Sequence, residues 1–269
     1  MTNPTFWNQF LIWPIVNLLV AFYKLFEWLH IPGPMGFAII LLTLAIRFLL
    51  YPIMNAQLKS AKKMAALKPH LDALSAKHKD DKTKLQQAHM ALYKEHGVNP
   101  AAGCLPMLLQ LPVLIALYNV FYQVLSNGNL EKIMTDVNQV VYHSALRISA
   151  LDLTFFGVNL GIKPSQWQTH GWWLLAIPLI TAVLQWYQTK LMTTSPPAGG
   201  SGQVPALVTK DEKKTDTAAE MQKQMALITP IMFGYFAFQF PVGLALYWNV
   251  FGLFGIIQQL LVNKEQSDK

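Results

Sequence analysis

Five long apolar runs constrain this chain more than any other feature of it. About 20 apolar residues in a helix cross a hydrocarbon core of about 30 Å. Met35–Met54, Leu105–Leu125, Trp172–Leu191, Met225–Phe240 and Val242–Val262 each read as such a span. The fourth holds only 16 residues, about 24 Å of helix, which suggests local bilayer thinning or added polar flanks. It is hinged to the fifth at Pro241-Val242-Gly243. Only 13% of the 269 residues are charged while 53% are hydrophobic, against about a quarter charged in a typical soluble domain. That balance disfavours disorder and collagen-like structure. The single Cys104 excludes an intrachain disulfide and any multi-cysteine zinc site.

Phe10–Leu29 reads differently. Asn17, Lys24 and Glu27 fall along one helical face, with Trp13, Phe22, Phe26 and Trp28 as aromatic anchors. The expectation is an amphipathic helix lying in the membrane interface, with a signal anchor as the competing reading. No basic segment precedes the apolar stretch, which disfavours a cleavable signal peptide.

The net charge of +7 is unevenly spread. Nine lysines fall in Ala56–Gly97, and placing alternate loops inside gives 15 basic residues in cytoplasmic segments against four outside. The N-terminus is then expected outside and the C-terminus in the cytoplasm. The chain divides into an outer N-terminal segment (1–34) and spans at 35–55, 99–125, 171–192, 225–240 and 241–262. Between and beyond them lie a cytoplasmic hairpin (56–98), an extracytoplasmic loop (126–170), a cytoplasmic linker (193–224) and a tail (263–269).

Within 56–98, Met64, Leu67, Leu71 and Leu74 form one apolar stripe and Leu85, Ala88 and Leu92 a second, with Asp80-Asp81 marking the reversal. Pro69 should bend or interrupt the first arm. Lys59, Lys62, Lys63, Lys68, Lys77 and Lys79 offer a docking surface for anionic headgroups, ribosomal RNA or a targeting factor. A solvated face with a topological role is the alternative. The loop 126–170 holds a possible helix over Leu130–Leu146, and Ser195–Glu220 reads as a linker without chemistry.

Arg47 is the residue that asks for an explanation. It lies 12 residues into the first run, and a mid-bilayer Arg costs about 2.5–3.5 kcal/mol on insertion scales. None of the five runs contains an Asp or Glu, so an ion pair within the bundle is a weak account. Snorkelling towards the headgroups is a stronger one, and a hydrated groove open to the cytoplasm is the third. Thr43 sits one turn before Arg47; Thr181, Gln185 and Gln188 form one stripe in the third run. Gln110, Tyr247, Trp248 and Asn249 complete the polar set, which favours a polar interior. No histidine lies in the spans, and neither HExxH nor GxSxG occurs, so enzymatic readings fare poorly. No metal or other cofactor is expected. A small-solute transporter or channel stays open as a second reading, although five unequal spans make internal symmetry hard to build.

Several stretches resemble the YidC family of membrane protein insertases. They are Arg47-Phe-Leu-Leu-Tyr-Pro52, the Lys-rich hairpin, Asn99-Pro-Ala-Ala-Gly-Cys-Leu-Pro-Met-Leu-Leu-Gln-Leu-Pro112, Leu151-Asp-Leu-Thr and Phe240-Pro-Val-Gly-Leu-Ala-Leu-Tyr-Trp-Asn249. The resemblance spans residues 10 to 262. It implies an all-α polytopic membrane protein with five transmembrane helices around a hydrophilic groove, open to the cytoplasm and lipid and closed outside, plus the interfacial helix and hairpin. It also implies that Arg47 holds water and attracts acidic parts of a nascent chain, and that Thr43 and Trp248 line the substrate path. The second and fourth spans match surfaces along which a substrate helix slides into lipid.

Nascent membrane proteins, the Sec translocon, the signal recognition particle pathway and the ribosome are the implied partners, with a monomer in the bacterial inner membrane as the working unit. Three departures limit the likeness. With 34 residues before the first span, a member without the large outer β-rich domain of many others is expected, one with no cysteine suited to lipoprotein processing and with a short tail after the last span.

Overall fold

A backbone in lipid must satisfy its own hydrogen bonds, and apolar runs of this length do so as helices. The computed structural model describes residues 2–78, 81–98, 111–119, 130–193 and 217–267. In chain order the helices are α1 (Trp13–Trp28, entered through a π-helical turn at Asn8–Ile12), α2 (Pro34–Ala66), α3 (Lys68–Lys77), α4 (Lys82–Glu95) and α5 (111–119). They continue with α6 (Leu130–Val140), α7 (Trp167–His170), α8 (Ala176–Thr193), α9 (Thr217–Gln239) and α10 (Val242–Ser267). Strands β1 (Thr154–Phe155) and β2 (Val158–Asn159) form a small antiparallel hairpin. Among the described residues, three helices are long and apolar enough to cross a membrane, at Asn8–Trp28, Pro34–Ser60 and Val242–Lys264, while Leu227–Gln239 is a shorter apolar helix. The chain is a multi-pass helical membrane protein. The expected second run and its Gln110 lie largely outside the described residues, of which only 111–119 fall within it.

α8 packs along α9, α10 packs against both α2 and α8, and α1 lies on α2. The connection 130–170 packs on one end of these helices, touching α1, α2 and α9. The start of α10 is tied to it, with Val242 and Gly243 N–H donating to the Ile162 and Leu160 carbonyls at 2.8 Å each. The β hairpin sits on the start of α2, where Gly36 leaves the space that the Phe155 ring fills. The buried core, from Leu19 and Leu42 to Leu117, Leu174 and Leu244, joins these elements to α1, α5 and α8.

The structure refines the sequence expectations at several points. Asn17 does not belong to a water-facing stripe on α1; it is buried, its amide donating to the Val140 carbonyl at 2.9 Å and accepting from Tyr142 N–H at 2.7 Å. Lys24 and Glu27 pair with each other at 2.8 Å, which removes most of the charge that suggested a polar face. By length and composition the segment Asn8–Trp28, 21 residues, is apolar enough to count among the candidate spans. The helix at Leu130–Leu146 is two pieces, α6 and a 3-10 turn at Ser144–Leu146. The fourth run extends eight residues further back than its apolar core, so α9 has 23 residues, about 34 Å of helix. Leu227–Gln239 is its apolar part, and the added residues 217–224 are a polar flank, the alternative to bilayer thinning that the sequence offered.

The first run has no break at residue 55. α2 continues for 33 residues to Ala66, and the chain re-enters helix at α3 with Pro69 in its first turn. A proline there removes an N–H that has no helical partner anyway and blocks continuation from the preceding turn. α3 packs on α4, with Leu67 buried and Leu71, Leu74, Leu85, Ala88 and Leu92 half-buried. Asp81 caps α4, its carboxylate accepting from the Thr83 and Lys84 N–H groups at 3.1 and 3.0 Å. Those bonds, chiefly the Lys84 N–H followed by the Lys84 ammonium, hold the carboxyl below its ordinary pKa.

Candidate functional site: a buried arginine against α10

Arg47 projects from the middle of α2 onto α10 and is 7% exposed. One terminal nitrogen, Nη2, donates to the Phe251 carbonyl, and Nη1 reaches Gln258 Oε1 at 3.4 Å. The guanidinium carbon lies 3.6 Å from the centre of the Phe251 ring, a cation–π contact. All of these partners are neutral. Residues 34–66, 176–193 and 221–264 contain no Asp or Glu, so no carboxylate lies on the stretches of α2, α8, α9 and α10 beside the guanidinium; Glu220 and Glu265 stand at the far ends of α9 and α10. A guanidinium stays protonated in proteins, and in a low-dielectric interior its field is weakly screened.

Gly255 explains how a helix carbonyl comes to serve the arginine. The Phe251 carbonyl points along α10 towards residue 255, whose side chain would normally stand beside it. With glycine there, the flank is open. A Cβ on residue 255 would fall 2.6 Å from Arg47 Nη2 and 2.6 Å from Gln188 Nε2. Arg47 and Gln188 therefore share the notch that this glycine leaves. One turn earlier, a Cβ on Gly252 would meet Gln185 Nε2 at 3.5 Å.

The stripe on α8 thus faces α10. Thr181 donates to Asn249 Oδ1 at 2.8 Å, and Gln185 and Gln188 follow towards Gly252 and Gly255. The structure brings Arg47, Gln185 and Gln188 around one face of α10. Thr43 is on the Arg47 side of α2 but wholly buried, its hydroxyl donating to the Ile39 carbonyl at 2.6 Å. Tyr247 is buried with its ring 5.9 Å from that of Phe251. Trp248 lies two turns from Gly255 and packs among Phe233, Phe236 and Phe240 at centroid distances of 5.6, 6.3 and 5.8 Å. Gln110 lies outside the described residues.

Sequence reasoning missed the continuation of the polar set beyond Arg47. Gln57, Gln258 and Gln259 are buried, and Gln258 Nε2 approaches the Tyr51 carbonyl at 3.5 Å. Arg47 Nε, Asn55 Oδ1 and Gln259 Oε1 are buried without a hydrogen-bond partner among the described residues. Buried polar atoms of this kind are costly unless water or a ligand group meets them. Two signals were present: the Gly252-x-x-Gly255 spacing, and Gln258-Gln259 inside an otherwise apolar run. Of the hairpin lysines, Lys59, Lys63 and Lys77 are exposed; the side chains of Lys62 and Lys68, and all of Lys79, lie outside the described residues. Among the described residues no three His, Cys, Asp or Glu side chains group as metal ligands.

Residues 27–269 match the 60Kd inner membrane protein family. The chain belongs to that family, the YidC insertases. It is 34% identical over 265 residues to membrane protein insertase MisCA of Bacillus subtilis (strain 168), covering 97% of this chain and 80% of the relative. It is likewise 34% identical over 261 residues to membrane protein insertase YidC 2 of Bacillus anthracis, covering 95% and 80%. Against membrane protein insertase YidC of Pelagibacter ubique the identity is 32%, covering 97% of this chain but 40% of the relative. Among solved structures, an active YidC insertase with its first transmembrane domain resolved superposes with a TM-score of 0.54 at 26% identity, covering 94% of this chain and 46% of that one.

Proposed function

We propose that this protein is a membrane insertase that draws short hydrophilic segments of nascent membrane proteins to Arg47 and releases their apolar helices into lipid. The observation that carries the reading is a buried guanidinium held by neutral acceptors, on apolar runs that contain no Asp or Glu. An acidic side chain or a desolvated peptide carbonyl of the substrate competes for the donors that Phe251 and Gln258 now occupy. Leaving such groups unpaired in an apolar medium costs roughly 2–7 kcal/mol each, so a fixed donor in the bilayer lowers the barrier to their passage.

Gln57, Asn55, Gln258 and Gln259 extend this polar track from Arg47 towards the α3–α4 end. That end carries the exposed lysines and is the cytoplasmic entry in this reading, with the C-terminus inside and, α1 taken as lying in the interface, the N-terminus outside. Burial of the substrate's apolar helix drives release. A membrane potential assists acidic outer segments by about 2.3 kcal/mol per charge per 100 mV. No nucleotide or metal takes part. Lys59, Lys63 and Lys77 support docking of anionic headgroups, the ribosome or the signal recognition particle. The protein works as a monomer in the bacterial inner membrane, alone or beside the Sec translocon.

The test is photo-crosslinking from Gln188 and Gln258 to stalled nascent chains of a single-span substrate. Crosslinks to the segment preceding or following the apolar helix are expected. Insertion that proceeds with no crosslink from either position, together with solute uptake by the purified protein in liposomes, would favour the transporter reading instead.

A further inference from the structure

The connection 130–170 presents one aromatic ring in an unexpected setting. β1 and β2 are joined by a two-residue turn, Phe156-Gly157, with φ of 48° and 80°. Positive φ at both turn residues is the arrangement that Asn and Gly fill without strain. Here the first position holds a phenylalanine that is 82% exposed. A large apolar side chain on a strained backbone, facing away from the protein, is a costly choice for a hairpin tip in water.

Its location points to what covers it. The Phe156 ring stands 6.2 Å from that of Phe37, in the first turn of the apolar run of α2, and Phe155 contacts the same ring at 5.3 Å. The tip therefore lies at the level where α2 enters the hydrocarbon. Two more exposed aromatics flank helix ends at this face. Trp28 closes α1 and is 74% exposed; Trp172, just before α8, is 79% exposed. Aromatic residues collect where membrane helices meet the headgroup region.

We infer that the β1–β2 hairpin tip inserts Phe156 into the interfacial zone of the bilayer beside α2, as a lipid anchor that fixes the depth of that helix. Arg47 lies ten residues beyond Phe37, about 15 Å along α2, which is half of a hydrocarbon core of about 30 Å. Anchoring Phe37 and Phe156 at the interface thus sets the arginine near the midplane. The partner is the phospholipid interface itself, continuous with the lipid-facing side of α2. The inference rests on the reading that α2 crosses the membrane.

The experiment uses the full chain with Cys104→Ala, bearing Phe156→Cys labelled with an environment-sensitive dye, in vesicles of phosphatidylcholine and phosphatidylglycerol. A second protein carries the dye at Phe48→Cys, an exposed position in mid-α2. Quenching is compared between lipids carrying a doxyl group near the headgroup, lipids carrying it deep in the acyl chain, and aqueous iodide. The dye at residue 156 is expected to emit at shorter wavelength than in water, to lose most fluorescence with the shallow doxyl lipid, and to resist iodide. The dye at residue 48 should respond most to the deep doxyl lipid. Iodide quenching at 156 without lipid quenching overturns the anchor while leaving the span intact. Shielding from both quenchers also overturns it, since it shows a protein contact. Loss of lipid quenching at 48 overturns the span reading and the anchor with it. Phe156→Asn, which suits the turn, serves as the folding control and should match or exceed the parent's thermal stability in detergent.

Discussion

Replacing Gly255 by alanine puts a methyl group where Arg47 and Gln188 now sit. The new Cβ would lie 2.6 Å from each nitrogen, and ordinary contacts begin near about 3.4 Å, so the guanidinium must retreat by roughly an ångström from the Phe251 carbonyl. A hydrogen bond from a charged group contributes about 1.5–3 kcal/mol. Against that loss, alanine in a helix interior is about 1 kcal/mol more favourable than glycine. The single variant should therefore lose a modest net 0.5–2 kcal/mol, on the order of the difference between those two terms.

The sharper quantity is the coupling. In an Arg47→Ala background the clash with the arginine is gone, the Gln188 amide is free to rotate away, and Gly255→Ala should be neutral or stabilising. A double-mutant cycle, read by thermal or denaturant unfolding in detergent, should return a coupling of about 1.5–3 kcal/mol. Equal effects of Gly255→Ala with and without the arginine would refute the notch as its seat.

Other outcomes follow from the same coordinates. Asn17→Leu removes an amide that pairs with both Val140 and Tyr142, and each buried backbone group left unpaired costs about 1–3 kcal/mol, so unfolding in detergent should shift accordingly. Trp248→Ala empties the aromatic cluster with Phe233, Phe236 and Phe240; truncations of this kind cost about 3–5 kcal/mol, while Trp248→Phe should recover part of the loss. Asp81 has a carboxyl pKa lowered by folding, so its capping contribution is full above the unfolded value of about 3.9 and is lost as pH falls through the folded one. Amide exchange at Thr83 and Lys84 should accelerate over that acid range in the parent, and at neutral pH in Asp81→Ala, but Asp81→Asn should remove the pH dependence while keeping the cap. Identical exchange in all three proteins would contradict the cap.

The arginine was legible because it sits in an apolar run and none of the five runs contains an Asp or Glu to neutralise it. The stripe Thr181, Gln185 and Gln188 was legible from helical spacing, and its partner face on α10 was not. A glycine inside an apolar run reads as close packing; only coordinates reveal that the space at Gly255 belongs to side chains from two other helices. Asn17 was misread because its partners lie more than a hundred residues along the chain, beyond any local pattern. The reach of α9 was underestimated because its first turns are polar and resemble the linker before them. Trp248 was grouped with the polar set at the start of the fifth run and given a role by resemblance, and its packing among phenylalanines of α9 is a tertiary fact that periodicity does not carry.

The central claim is that the unneutralised charge of Arg47 selects what passes. The direct measurement is the insertion rate, by protease protection in liposomes, of single-span substrates whose translocated segment carries an aspartate, a neutral residue or a lysine. The aspartate substrate should insert fastest with the parent protein, keep most of that advantage with Arg47→Lys, and lose it with Arg47→Ala, with expression and fold intact. An aspartate advantage of the same size in the parent and in Arg47→Ala would contradict the claim.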